Sequence, residues 1–155
     1  MKSIYSLAFS RVAFFILLGV SPVALQVANG EPIDGSAVQL EPQQQNGISY
    51  LSGGIGLDES QALKQAKGYN LHMTFSEGAS NEYLAGIDVD IQAMKGGSVL
   101  SLSQAGPYVY VKLPAGRYFI IIGRNGHEER RAVALSSRSI RNVNFHWSDG
   151  RQASY

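Results

Sequence analysis

From Ile48 to Trp147 the chain consists of short stretches in which apolar and polar residues alternate, each closed by glycine, proline, asparagine or serine. A period of two over so few residues fits a half-buried strand and little else. Leu71, Met73 and Phe75 alternate with His72, Thr74 and Ser76, and Ile87, Val89 and Ile91 alternate with Asp88, Asp90 and Gln92. Ile48 to Ser52, Val99 to Leu102, Tyr108 to Leu113, Arg117 to Gly123, Glu129 to Leu135 and Arg141 to Trp147 complete the set of expected strands. One segment departs from the rhythm. Asp58 to Lys67 (DESQALKQAK) is rich in helix formers and predicts a short helix before the second strand, with Asp58 as N-cap, Gln61 returning the cap and Gly68 ending it. Leu63, Ala66 and Ala62 give that helix a narrow apolar stripe, so it must lie on a sheet to be stable. No helix is long enough for parallel crossovers, and the expected fold is all-β: an antiparallel two-layer β-sandwich of about seven strands. A membrane barrel fits less well, because its strands need about 9 to 11 residues and Tyr118 to Ile122 is continuously apolar instead of alternating.

The first thirty residues differ in kind. Lys2 and Arg11 precede the apolar run Val12 to Val20, Ser21-Pro22 breaks it, and Ala28-Asn29-Gly30 offers a small-x-small cleavage site. That order is the order of a secretory signal peptide, and the run is well short of the roughly 20 apolar residues of a membrane span. The expectation is a periplasmic or secreted protein whose mature form has no membrane span. The whole chain carries a formal charge of +1, and cleavage leaves 11 basic and 12 acidic side chains. Such a balance supplies no overall field to gather nucleic acid, so no nucleic-acid partner is expected. With no cysteine in the chain, disulfides, thiol chemistry and acylation of a cysteine behind the signal are all excluded. Glu31 to Gly47 (EPIDGSAVQLEPQQQNG) is too poor in apolar residues to order itself and reads as a flexible leader. The expected organisation is a signal peptide over 1–30, the leader over 31–47, the sandwich over 48–148 and a C-terminal tail over 149–155.

The stretch from Gly106 to Ile122 (GPYVYVKLPAGRYFIII) is the most informative. Pro114 presets φ for a turn and Gly116 accommodates positive φ, which predicts a hairpin between the flanking strands. Leu113, Pro114, Gly116 and Tyr118 match the leucine-proline-x-glycine-x-tyrosine turn of the carboxypeptidase regulatory-like domain, a prealbumin-like sandwich common in exported bacterial proteins, and Ile87 to Trp147 resembles that family. The resemblance implies a fold and carries almost no information on activity. In the predicted hairpin Leu113 pairs with Tyr118, Val111 with Ile120 and Val109 with Ile122, which puts those six in the core. The opposite face then carries Tyr108, Tyr110, Lys112, Phe119 and Ile121, an apolar patch that needs either an internal cover, such as the helix, or an external partner. Tyrosine and phenylalanine suit recognition of an envelope protein or a glycan, so these five are the candidate binding residues.

Catalytic and metal-binding patterns are weak. Ser52-Gly53-Gly54-Ile55-Gly56 lies before the helix, but no Lys-Ser or Lys-Thr follows, and Asp58 and Glu59 would repel a phosphate there. His72, His127 and His146 lack ligand spacing, and Asp88 and Asp90 share a strand face where solvent-facing charge is the simpler account. No catalytic residue, cofactor or metal is expected. Residues 112–155 hold eight basic and three acidic side chains, whereas 31–111 hold three basic and nine acidic. Early and late strands pack together in a sandwich, so this asymmetry predicts cross-strand ion pairs, with an anion-binding face around Arg130-Arg131 and Arg138/Arg141 as the alternative. The expected function is that of a non-catalytic exported module that binds or supports. The competing expectation is a small hydrolase on a transthyretin-like sandwich using His72 and His146.

Overall fold

The computed structural model describes residues 38–148. The expected signal peptide, the leader up to residue 37 and the tail from residue 149 lie outside them. All the expected strands are present: β2 (Ile48–Gly53), β3 (Leu71–Glu77), β5 (Ile87–Ala93), β6 (Ser98–Ala105), β7 (Tyr108–Lys112), β8 (Gly116–Arg124), β9 (His127–Leu135) and β10 (Arg141–Trp147). Two short ones join these eight, β1 (Gln43–Gln45) and β4 (Glu82–Tyr83), so the sandwich has ten strands where about seven were expected. One sheet runs β1-β2-β7-β3-β10 with β4 beside β3, and the other runs β6-β5-β8-β9. The chain is an all-β two-layer sandwich.

Strand alternation sets what lies between the layers. Phe75, Phe145, Met73 and Leu71 from the first sheet meet Ile87, Ile91, Ile120 and Ile122 from the second, all fully buried. Pairing is antiparallel except that β10 lies parallel to β3, with Arg141 opposite Leu71 and Trp147 opposite Glu77. Both strands enter the sheet from the same end, β3 from the helix and β10 from the connection that leaves β9. The wholly antiparallel expectation is corrected at this pair.

A larger correction concerns Leu113-Pro114-Ala115-Gly116. These residues do not close a hairpin. β7 pairs with β2 and β3, while β8 pairs with β5 and β9 in the other sheet, so the segment is an arch from one layer to the next. All six residues assigned to the core are buried there, but Val111 lies opposite Tyr50 and Leu71, and Tyr118 lies opposite Ala93 and Val133. Alternation fixes the face a residue occupies and leaves its partner open. The Tyr118 hydroxyl donates to the Pro114 carbonyl at 2.9 Å, pinning the arch as a tyrosine corner does. Asn70 holds the arch from outside: its Oδ1 accepts the Leu113 N–H at 2.9 Å, and its Nδ2 donates to the Leu113 carbonyl at 2.9 Å and to the Ser136 carbonyl at 3.0 Å. Replacing Asn70 by alanine strands both Leu113 backbone groups and is expected to lower the unfolding free energy by about 2–3 kcal/mol, read from a urea melt. A loss under about 0.5 kcal/mol would show that water substitutes freely at the arch.

The leader is ordered earlier than expected, with strand pairing from Gln43. Asn46-Gly47, at φ 52° and 78°, forms the tight turn between β1 and β2. From this turn the Gln45 Oε1 accepts the Ser101 N–H at 2.6 Å and the Asn46 Nδ2 donates to the Val99 carbonyl at 3.4 Å. These two side chains occupy backbone groups along the free edge of β6, which otherwise invites another strand. At the far side of the sandwich Arg131 donates to the Asn144 carbonyl at 2.9 Å and lies over the Phe145 ring at 4.4 Å.

The helix α1 (Leu57–Gln65) lies on the outer face of β2 and β7. It starts one residue before the expected cap: Gly56 is the N-cap, with no side-chain bond, and Asp58 and Glu59 fall in the first turn. The Glu59 carboxylate instead reaches back to accept the Ile55 N–H at 3.3 Å. The helix also ends earlier than expected, at Gln65 with Ala66 as its C-cap, so Gly68, at φ 94°, turns the chain two residues beyond the cap and does not end the helix.

Candidate functional site

The five residues expected to share one face are divided. Tyr108, Tyr110 and Lys112 point out of the first sheet, and Phe119 and Ile121 point out of the second. Tyr110 is therefore not beside Ile121, nor Lys112 beside Phe119, because the strands assumed to pair are in different layers. Tyr108 and Tyr110 are only 3% and 6% exposed, packed with Leu51 under Leu63 of α1, with Leu40, Ala66 and Tyr69 around them. The helix is the cover. Phe119 is half-buried beneath the Arg130 guanidinium, 3.8 Å from its ring centroid, and Ile121 lies between Asp90 and Arg130. Lys112 remains exposed.

Beneath the helix, His72 stacks on Tyr110 with centroids 3.7 Å apart and planes 8° apart. Burial lowers the His72 pKa from its ordinary value, more than a hydrogen bond to the Tyr69 backbone raises it. Burial, with the Tyr83 and Tyr110 phenols beside it, pushes the Tyr108 phenol far above the usual tyrosine range. A depressed histidine favours the folded state when neutral. Its contribution is complete above the unfolded pKa of about 6.5 and is lost as pH falls through the lower folded value. Urea midpoints between pH 7.5 and 5 should therefore drop more in the wild type than in His72→Gln, and equal drops would remove His72 from the acid limb.

The histidines do not converge on a reaction centre. His146 lies opposite Ser76, and its Nδ1 is 3.2 Å from the Ser76 hydroxyl. His72 is four positions further along β3, about 13 Å away at roughly 3.3 Å per residue. Groups that exchange a proton must be within hydrogen-bond reach or one water apart, so His72 and His146 do not form one proton-exchanging pair. His127 and His146 do line one pocket of about 390 Å³ with Trp147, Glu77 and Arg124, in which the Arg124 guanidinium is already paired with Glu77 at 2.8 Å. Asp90 accepts from Gln92 at 2.6 Å and from the Ser98 hydroxyl, and Asp88 accepts the Gln104 N–H at 3.3 Å. No group of three His, Asp or Glu among the described residues is placed to hold a metal ion.

The charged residues are organised differently from expectation. Ion pairing is sparse: among the described residues Arg124 of β8 pairs with Glu77 of β3 in the other sheet, as the expectation has it, whereas Arg131 pairs with Glu129 within β9. Charge is instead sorted by the ends of the sandwich. At the end that holds the arch, Lys67, Lys95, Lys112, Arg117, Arg138 and Arg141 are all exposed, and no Asp or Glu of the described residues falls in the connections there, although the Asp90 carboxylate reaches Ser98 at the start of β6. Each sits in, or next to, a connection at that end: Lys67 before β3, Lys95 between β5 and β6, Lys112 and Arg117 on either side of the arch, Arg138 and Arg141 between β9 and β10. The opposite end carries Asp58, Glu59, Glu77, Glu82, Asp88, Glu128 and Glu129, together with Arg124, which pairs with Glu77.

Within the cationic end a pocket of about 500 Å³ opens between the β5–β6 turn and the start of β8. Ala93, Met94 and Tyr118 give it an apolar wall, and Lys95 and Arg117 stand at it. The Met94 N–H donates to the Arg117 carbonyl at 3.0 Å, which fixes the two lips against each other. The sequence did not single out Lys67, Lys95 or Arg117, and it favoured pairing for Arg138 and Arg141, with an anion-binding face as the alternative. This arrangement can hold an anion that also presents an apolar group. No known family matches the chain, and comparison with curated proteins gives no match.

Proposed function

We propose that the chain is an exported β-sandwich of the carboxypeptidase regulatory-like kind that acts by binding in the bacterial envelope, with its cationic end taking an anionic partner, a protein or a glycan. The observation that carries this reading is that Lys67, Lys95, Lys112, Arg117, Arg138 and Arg141 are exposed in or beside the connections at one end, in which no Asp or Glu of the described residues falls. Cations gathered at one end add their fields, and at a pocket with an apolar wall lined by Lys95 and Arg117 that field favours anions. The signal-like first thirty residues support export, and the Leu113-Pro114-x-Gly116-x-Tyr118 segment supports the family. No helix among the described residues is long and apolar enough to cross a membrane.

Titration with a carboxylated oligosaccharide such as oligogalacturonate, followed by amide chemical shifts, tests the reading. The amides of Lys95, Arg117, Arg138 and Arg141 should move, and the effect should vanish in about 0.5 M NaCl, where exposed charges are screened. Shifts confined to the opposite end, or none at low salt, would overturn it.

A further inference from the structure

The end opposite the cationic one carries the two most exposed consecutive-turn aliphatics of the described chain. Ile55, on the loop that leaves β2, is 78% exposed, and Leu57, the first residue of α1, is 58% exposed. Exposed aliphatics singly need no explanation, but two held outward on one built loop do. The loop is built: Gly54 adopts φ 93°, the Glu59 carboxylate accepts the Ile55 N–H, and Leu63 of the same helix is buried against Tyr108 and Tyr110. Asp58 and Glu59 follow the two aliphatics directly, and Glu41 shares a pocket with Glu59. An apolar knob is thus presented with carboxylates at its base. This is the chemistry the pocket at Met94, Tyr118, Lys95 and Arg117 is suited to hold.

We propose that the Ile55–Asp58 loop of one copy docks into the cationic pocket of a second copy, so that the sandwiches associate head to tail. The inference rests on the cationic end being a binding site, as proposed above, and names its occupant. Pairing registers put the loop beside the start of β7 and the pocket beside the start of β8, at opposite ends of the sandwich. The nine residues of β8 separate those ends by about 30 Å at roughly 3.3 Å per residue, so a copy cannot satisfy its own pocket. The carboxylates around the knob disfavour an anionic lipid surface and match the Lys95 and Arg117 charges. A contact of this type is heterologous: each copy uses one knob and one pocket, and growth continues unless a ring closes. With two aliphatics and few ion pairs it is a weak contact, with a Kd on the order of 0.1 mM.

Sedimentation of the purified chain from about 10 µM to about 1 mM should show a mean mass that rises with concentration and falls back toward the monomer in about 0.5 M NaCl. Ile55→Ser/Leu57→Ser, which lacks the knob, and Lys95→Glu/Arg117→Glu, which lacks the cationic pocket, should each stay monomeric alone. All four side chains are exposed or at a pocket rim, and circular dichroism checks that both variants are folded. Mixed at equal amounts, the two variants should form a one-to-one heterodimer that grows no further, because one intact knob faces one intact pocket. A wild type that is monomeric at about 1 mM, or a mixture that gives no heterodimer, overturns head-to-tail association. The anionic-site reading is scored separately by the knobless variant, which should still bind the carboxylated oligosaccharide. If it binds while the wild type is monomeric, the site stands and its occupant is another molecule.

Discussion

Tyr110→Ser is expected to lower the unfolding free energy by about 3–4 kcal/mol, the range of large aromatic truncations in a packed core, and to lower Tm by roughly 10–20 °C for a domain of this size. Three contacts go at once. The Tyr110 ring is stacked on His72, meets Tyr108 edge-on at a centroid distance of 6.5 Å, and forms part of the floor on which Leu63 and Ala66 of α1 rest. A nine-residue helix is too short to persist without that floor, so its far-ultraviolet signal should fray before the sandwich melts. Tyr83→Ser is the control. That ring is 56% exposed and lies over Tyr108 from outside at 5.1 Å, and its loss should cost under about 1 kcal/mol. A Tm unchanged by Tyr110→Ser would mean that the helix does not bear on this face, and would restore the tyrosines as a recognition surface.

The covered tyrosines show what the sequence carries and what it does not. The inward sets of β3, β5, β8 and β10 follow from alternation, because one face of each strand must leave water. The need to cover Tyr108 and Tyr110 follows from the same rule, and the helix with Leu63 in its stripe was the available cover. Partner choice was not legible. A four-residue Leu-Pro-Ala-Gly link closes a hairpin or spans two layers about 10 Å apart equally well, and Asn70, whose side chain braces the arch, is more than forty positions away in sequence. The β1–β2 hairpin was missed for a local reason: Asn46-Gly47 is a strong turn signal, but the glutamines before it are poor strand formers, and their role at the β6 edge is a tertiary fact.

The cationic end was hidden by counting charge along the chain instead of by connection. In an up-and-down arrangement alternate connections fall at the same end, so Lys95, the Lys112/Arg117 pair and Arg138 with Arg141 alternate in sequence with Glu77, Glu82, Asp88 and Glu128. Split at residue 112, the same residues look like two halves able to neutralise each other. The strands between them hold the two sets apart by the length of the sandwich.

Lys95→Glu/Arg117→Glu is expected to weaken binding of a carboxylated ligand by roughly 30-fold at low salt, or about 2 kcal/mol, taking each exposed contact as about 0.5 kcal/mol and counting both the attraction removed and the repulsion added. The stability of the same variant should move the other way. Neither side chain is paired with a carboxylate of the described residues, and both are exposed, so no packing is lost. Two of the cations that repel one another at that end are replaced by charges that Lys112 and Arg138 attract, and Tm at low ionic strength should hold or rise slightly. The two readouts together separate a binding surface from a structural one. A structural lysine or arginine, replaced by glutamate, loses stability and affinity together. A side chain kept for contact with a partner gives up affinity while the free protein gains. A variant that loses several degrees of Tm along with its affinity would place Lys95 and Arg117 in the scaffold and end the case for this end as the binding site.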